Sequence, residues 1–201
     1  MWRPWLIYDK RFWAATGASV LLLAALIGWG AHAYQRSRMR QAMNTFAPFH
    51  TPPLEIVFPH TVADNAASRA LLEPGVQKGL WTLRSLGGNP PTVEVLLTRQ
   101  GQRWFSVVGK QLVATFQAGT RQATAILGLE DTFPSRRVRF RYAWKTLHPG
   151  TSVLGAEVPI IGTDYEGDAL FFYEDDQWRL LHWATPQFDS AVRRFKTLHS
   201  G

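Results

Sequence analysis

The ten residues from Arg136 to Lys145, RRVRFRYAWK, alternate between cationic and apolar side chains. Val138, Phe140, Tyr142 and Trp144 share one parity, whereas Arg137, Arg139, Arg141 and Lys145 share the other. Because successive side chains of a strand point to opposite faces of a sheet, this alternation predicts a strand with one buried and one cationic face.

Shorter apolar segments on both sides of this strand also predict strands. They are 93–97, 111–116, 121–127, 169–173 and 178–183. The turn sequences 117–120 and 174–177 predict two hairpins within this set. Helices are predicted over 61–72, 76–86 and 185–198. Together these elements predict an α+β domain in which helices pack on a curled antiparallel sheet.

Two resemblances accompany this pattern. The element order is similar to that of small cystatin-like and nuclear-transport-factor-2-like modules. The segment Leu80–Arg121 contains an LTxxG turn, Leu97–Gly101, and then Gly119-Thr120-Arg121, a GxR sequence. It resembles a pattern in uncharacterised small bacterial cell-envelope proteins. That resemblance covers about a fifth of the chain and implies an envelope protein, with no known activity attached.

Residues 12–35 contain no charged side chain, although Arg11 and Arg36 flank them. At about 1.5 Å per residue, a helix of this length reaches roughly 36 Å, which exceeds a hydrocarbon core of about 30 Å. Aromatic residues near the two ends are predicted to be membrane-interface anchors. These are Trp2, Trp5, Trp13, Trp29 and Tyr34. We therefore expect a short N-terminal tail over 1–11 and a single transmembrane helix over 12–35.

Two features bear on how this segment is processed and oriented. Ala31-His32-Ala33 matches a signal-peptidase site, so cleavage after Ala33 stays open, but the long aromatic N-terminal region favours an uncleaved signal anchor. Basic residues are nearly balanced on the two sides, and a long following domain is translocated largely regardless of charge. We expect a single-pass protein of the bacterial inner membrane, with its C-terminal domain in the periplasm.

Residues 36–60 are first basic and then rich in proline. The prolines are Pro48, Pro52, Pro53 and Pro59. Because proline interrupts helices and favours extended backbone, this segment is predicted to be a semi-rigid tether. The soluble α+β domain is then expected to span 61–201.

The net charge of +7 is concentrated near the membrane segment. Residues 1–40 contain six basic side chains and one acidic one, a difference of +5, so the remaining chain carries only +2. A basic anchor against anionic lipid explains this distribution, and nucleic acid is an unlikely partner. The absence of cysteine excludes disulfides, thiolate metal sites and cysteine nucleophiles.

The cationic face of the central strand has two interpretations. Its side chains are Arg137, Arg139, Arg141 and Lys145. Three acidic residues also recur at every second position: Asp164, Glu166 and Asp168. The two sets either form a cross-strand ladder of ion pairs, or leave the cations free as an interaction face for phosphate, acidic polysaccharide, lipid headgroups or an acidic partner.

No catalytic signature is present. The six histidines have no HExxH spacing, the sequence around Ser152 departs from GxSxG, and no phosphate-binding glycine loop occurs. We therefore predict no enzyme activity, no cofactor and no metal.

The leading hypothesis is an assembly, scaffold or interaction subunit of a membrane complex. Its expected partners are the lipid bilayer and other membrane proteins, and a homo-oligomer is an open alternative. A second hypothesis is a periplasmic ligand-binding or sensory domain with an aromatic pocket. The candidate residues for that pocket are Trp81, Trp104, Trp144, Trp178 and Trp183. An anchored hydrolase is the third hypothesis.

Overall fold

A computed structural model describes residues 10–198, with side chains from residue 16 onward. Trp2 and Trp5, the side chain of Trp13 and most of the predicted tail lie outside the described residues. The α+β class, the apolar N-terminal helix and the antiparallel sheets are confirmed.

The described residues form four α-helices, ten strands and three short 3-10 segments. The α-helices of residues 10–198 are α1 (Lys10–Thr45), α2 (Ala47–His50), α3 (Ala66–Gln77) and α4 (Pro186–Arg193). The strands are β1 (Pro53–Pro59), β2 (Thr61–Ala63), β3 (Trp81–Gly87), β4 (Thr92–Leu97), β5 (Ser106–Val108), β6 (Gln111–Gln117), β7 (Gly119–Thr132), β8 (Ser135–Leu147), β9 (Asp164–Glu174) and β10 (Gln177–Ala184). Short 3-10 turns occupy 101–103, 149–157 and 194–197.

The strands form three antiparallel sheets, with the orders β1-β6-β5, β10-β9-β8-β7 and β2-β4-β3. The prediction of one curled sheet is therefore wrong. The chain changes sheets between β6 and β7, which follow each other in sequence but pair with different strands. Gly119, with φ +143°, lies at this junction, and a Cβ there would clash with the backbone oxygen of Thr146. Because β6 and β7 pair with different strands, the hairpin predicted around 117–120 is wrong.

The strand predicted from the alternation is confirmed as β8, an interior strand of the four-stranded sheet. Val138, Phe140, Tyr142 and Trp144 are all buried. The β9–β10 hairpin is also confirmed, and its turn residues Asp175 and Asp176 adopt positive φ values of 50° and 58°.

The predicted helices are only partly correct. Residues 61–63 form β2, and α3 begins after Asn65, whose side chain accepts a hydrogen bond from the Ser68 amide. The helix predicted over 76–86 is wrong, because α3 ends at Gln77 and the following segment forms β3. Gly79, with φ +65°, lies between them. The C-terminal helix is α4, which continues into a 3-10 turn.

The structure also differs from the predicted tether. Residues 36–45 continue α1, and Met39 and Met43 are 1% and 0% exposed in the core. The proline-rich part includes β1, an edge strand that pairs with β6 and has Pro53 and Pro59 at its ends. Edge positions and strand ends accept proline, since they need not donate a ladder hydrogen bond.

Candidate functional site

The apolar half of α1 is exposed along its length. Val20, Leu21, Leu22, Leu23, Leu26 and Ile27 are each at least 60% exposed. Within the described residues, one helix is long and apolar enough to cross a membrane, over Thr16–Thr45. This exposed apolar surface is compatible with a membrane anchor.

The second half of α1 is fixed to β7 by polar contacts. The Asn44 side-chain amide donates to the Ala123 carbonyl at 3.3 Å and accepts from the Ala123 amide at 2.7 Å. Arg40 donates to the Thr124 carbonyl at 3.3 Å. With Met39 and Met43 buried beneath, these contacts set the direction in which α1 leaves the domain.

A groove of about 580 Å³ lies between α1 and β7 where the helix leaves the domain. Its cationic and titratable lining comes from His32, Arg36 and Arg40. The predicted anchor Trp29 also lines it and is 74% exposed. Tyr34, another predicted anchor, is exposed on α1 with the Arg38 guanidinium 5.7 Å from its ring centre. Trp29 and Tyr34 therefore lie beside basic residues of α1.

The predicted cationic row lies on the exposed face of β8. Arg139 is opposite Asp168, and Arg141 is opposite Glu166, whose carboxylate lies 3.7 Å from the Arg141 guanidinium. Both partners of that ion pair are about half exposed, so the pair contributes at most about 1 kcal/mol.

The other members of the row form no ion pair with a residue of the described part of the chain. Arg137 is opposite Leu170 on β9, and Lys145 is exposed near the far end of β8. Among residues 16–198, no carboxylate lies within 4.0 Å of Arg137, Arg139 or Lys145. Acidic residues therefore lie opposite two of the four cations, Arg139 and Arg141, as a ladder requires. Of these two pairs, Arg141 and Glu166 are within ion-pair distance.

Sequence reasoning missed Arg121 as a site residue, although it ends the GxR sequence. The Arg121 side chain is 1% exposed and donates to the Phe49 carbonyl at 2.8 Å and the Thr185 hydroxyl at 3.1 Å. Its guanidinium also lies 4.7 to 5.5 Å from the centres of the Phe49, Tyr142 and Trp144 rings. Its shared parity with buried Ala123 is the signal that could have identified it.

Burial sets the ionisation of this cluster. Burial lowers the pKa of Arg121 to about 10. This value is still well above neutral pH, so the guanidinium is charged there. Burial raises the pKa of Tyr142 to about 12, so that hydroxyl stays neutral. Thr185 connects this cluster to Asp189: its hydroxyl accepts from Arg121, and its amide donates to the Asp189 carboxylate at 2.8 Å.

An aromatic cavity of about 320 Å³ adjoins the cluster, between β8, α4 and the segment that precedes β9. Tyr142, Trp144, Tyr165 and Phe188 provide its rings. The Trp144 and Phe188 ring centres are 5.0 Å apart. The Tyr165 hydroxyl accepts a hydrogen bond from the Ile160 amide at 2.8 Å.

Of the five tryptophans predicted to form a pocket, the structure brings Trp144 alone to this cavity. Trp81 packs with Phe58, and Trp104 with His148. Trp178 lies under the Arg136 guanidinium, while Trp183 packs against Phe46 on the helical side of the sheet.

In the part of the chain that the structure describes, no group of three or more His, Asp or Glu side chains is placed to hold a metal ion. Comparisons with protein-family models, curated proteins and solved structures find no match to this chain. The resemblances to envelope proteins and to cystatin-like modules remain predictions.

Proposed function

We propose that the protein is a single-pass, membrane-anchored interaction subunit of a bacterial envelope complex, with its C-terminal domain in the periplasm. The observation that supports this most strongly is α1, which continues without a break from an exposed apolar segment into the core of the domain. An extended tether would let the domain move freely, whereas a continuous helix presents it at one height and angle above the bilayer. A subunit that must meet neighbouring membrane proteins benefits from that constraint.

The charge distribution near the membrane agrees with this position. Arg36, Arg38 and Arg40 follow the apolar half of α1 within five residues, and Trp29 precedes them. Anionic headgroups attract such basic residues, and tryptophan favours the headgroup level. Both preferences keep this end of the domain against the lipid surface.

The outer face of the four-stranded sheet is the surface that we assign to a protein partner. It combines exposed cations on β8 with acidic residues on β9 and with exposed apolar side chains, of which Leu181 is 58% exposed. Since Glu166 and Asp168 lie opposite Arg141 and Arg139, the face is not a uniform cationic strip. Mixed charge with apolar contact area fits a protein surface better than a polyanion.

Site-specific photo-cross-linking in living cells tests this assignment. A photoreactive residue at Arg139 or Leu181 is expected to give the same discrete cross-linked membrane protein. The matched control is Glu55, an exposed position on β1 in another sheet, which is expected to give none. Identical diffuse products from all three positions, or none from the first two, would contradict the proposed partner surface.

The membrane topology has a separate test. A reporter that is active only in the periplasm, fused to the C-terminus, is expected to be active in intact cells. Activity with a cytoplasmic reporter alone would overturn the proposed location, and would leave the assignment of the outer face to its own experiment.

A further inference from the structure

Contacts between α1 and the four-stranded sheet show which end of the domain lies nearest to the apolar half of α1. Asn44 bonds to Ala123 near the start of β7. Closer to the apolar half, Gln35 accepts a hydrogen bond from the Arg136 guanidinium at 3.4 Å. Arg136 is paired with Asp131, near the end of β7. Towards its apolar half, α1 therefore follows the sheet to the turn between β7 and β8.

This turn carries an exposed aromatic ring. Phe133 is 80% exposed, the highest value among the large apolar side chains of residues 16–198. The Tyr173 amide donates to the Pro134 carbonyl at 2.9 Å, so the turn is fixed to β9. A single exposed apolar residue is common on protein surfaces, and its neighbours decide whether it marks an interface.

Two further rings connect Phe133 to α1. The ring centres of Phe133 and Tyr173 are 6.2 Å apart, and those of Tyr173 and Trp178 are 5.2 Å apart. The Arg136 guanidinium, which binds Gln35, lies 4.4 Å from the centre of the Trp178 ring. Aromatic side chains of β9 and β10 are therefore grouped with Phe133 at the end of the domain where α1 leaves it.

The position of this aromatic group along α1 matches a membrane interface. Gln35 is the last residue of the uncharged segment 12–35, and Trp29 and Tyr34 precede it. The turn with Phe133 extends past the contact of Gln35 with β8, in the direction of that segment. Tryptophan and tyrosine are enriched where a bilayer meets water. Rings from α1 and from the sheet therefore lie at a similar level, as in an aromatic belt.

The carboxylates at this end of the domain are largely compensated. They are Glu130, Asp131, Glu174, Asp175 and Asp176. Asp131 pairs with Arg136. Arg179 pairs with both Glu174 and Asp175. Ion pairs thus compensate three of the five, and the basic residues within 36–40 of α1 offset the other two against anionic headgroups.

We propose that this end of the domain rests on the bilayer, with Phe133 inserted at the boundary between the lipid headgroups and the acyl chains. Tyr173 and Trp178 support the ring from the headgroup side. The domain is then held at two points, α1 and the β7–β8 turn, which fixes its rotation about the axis of α1. The proposal rests on the membrane anchoring proposed for α1, but on neither the compartment nor the protein partner.

Nitroxide labels at single cysteines test this contact, since the chain has no cysteine of its own. The positions are Thr132→Cys beside Phe133, Lys145→Cys near the far end of β8, and Leu22→Cys in the apolar half of α1. The full-length protein is placed in nanodiscs of phosphatidylethanolamine and phosphatidylglycerol. Accessibility to oxygen, which dissolves in lipid, is divided by accessibility to a water-soluble nickel chelate.

The ratio of oxygen to nickel accessibility is expected to be highest at Leu22, intermediate at Thr132 and lowest at Lys145. A Leu22 label as open to the chelate as Lys145 would contradict the anchoring of α1, and this proposal with it. A lipid-exposed Leu22 label with equal ratios at Thr132 and Lys145 would overturn the turn contact and leave the anchoring intact.

Variants of Phe133 in the Thr132→Cys protein test the ring itself. Phe133→Ser is expected to lower the ratio at the label to that of Lys145, whereas Phe133→Trp, which keeps an aromatic ring, is expected to retain it. The matched control is Val108→Ser, which removes a side chain that is 58% exposed in another sheet and is expected to change nothing. An unchanged ratio in Phe133→Ser, or an equal fall in Val108→Ser, would overturn the insertion of Phe133.

Discussion

Arginines on the two faces of the four-stranded sheet have opposite surroundings. On the inner face, Arg121 is 1% exposed, donates to Phe49 and Thr185, and lies against three aromatic rings. On the outer face, Arg139 is exposed and, although it is opposite Asp168, forms no ion pair with any residue in the described part of the chain. The inner arginine is part of the fold, and the outer one is available to a partner.

The difference shows that a charged residue type does not by itself determine a role. The inner guanidinium is held by acceptors from α2 and from the start of α4, so it connects three parts of the domain. The outer guanidiniums are spaced along the exposed face of one strand, and Arg141 alone among them forms an ion pair within residues 16–198. Substitutions on the inner face should therefore change stability, and those on the outer face should change association.

The largest effect is expected from Arg121→Ala. The substitution leaves a cavity among the rings and removes the donor to the Phe49 carbonyl, so the free energy of unfolding should fall by about 3–4 kcal/mol. Denaturant unfolding of the full-length protein in detergent measures this loss. The matched variant Arg139→Ala should stay within about 0.5 kcal/mol of the native protein. Equal stabilities of the two variants would remove the distinction between the faces.

Met43→Ala tests the part of α1 that covers the inner face. Because Met43 is 0% exposed, truncation should lower the free energy of unfolding by about 2–4 kcal/mol. Leu26→Ala, in the exposed apolar half of the same helix, is the control and should leave the unfolding of the domain unchanged. A similar loss from both variants would mean that the two halves of α1 are not distinct in their packing.

The pH dependence of stability tests the ionisation of the inner cluster. Burial raises the pKa of Tyr142 to about 12, so between about pH 10 and 12 this tyrosine ionises in the unfolded chain but not in the folded one. The unfolded state then binds fewer protons, and this contribution to stability falls as the pH rises. The Arg121 pKa of about 10 acts in the opposite direction over the same range, since the folded state loses its proton first.

Tyr142→Phe removes the first contribution and does not weaken the second, because the lost hydroxyl is one of the groups that raise the pKa of Arg121. Relative to the native protein, its free energy of unfolding should therefore rise by up to about 2 kcal/mol as the pH increases from 10 to 12. Parallel urea titrations at several pH values measure the difference. A difference between variant and native protein that does not change with pH would contradict the described burial of this hydroxyl.

The smallest effect is expected on the outer face. A double-mutant cycle of Arg141→Ala and Glu166→Ala should give a coupling energy below about 0.5 kcal/mol, because both side chains are about half exposed and 3.7 Å apart. The coupling should decrease further at high salt. A coupling above about 2 kcal/mol would instead assign the cationic row to a structural ladder.

The prediction from sequence succeeded where one physical signal was dominant. Strand β8 has an apolar face that is fully buried, so its alternation reports its environment directly. The turn between β9 and β10 contains residues that accept positive φ values. The apolar half of α1 was recognised from the lack of charge over 12–35.

The errors arose where distant parts of the chain determine the structure. The β3 segment also fits a helical pattern, and its pairing with β4 selects the strand. The junction at Gly119 resembles a hairpin turn, yet the chain passes there into another sheet. An aromatic pocket was part of the second hypothesis, but sequence alone could not show which tryptophan lines a cavity, because that depends on how α4 packs against β8.

The polar contacts between α1 and β7 also affect how copies of the chain associate. β7 is an edge strand of 14 residues, and the exposed backbone of a long edge is a template for pairing with another strand. Here Asn44 bonds both the amide and the carbonyl of Ala123, as a neighbouring strand would, while Arg40 binds the Thr124 carbonyl. The first part of this edge is therefore closed to strand addition, which protects the domain from edge-to-edge aggregation when many copies are close together.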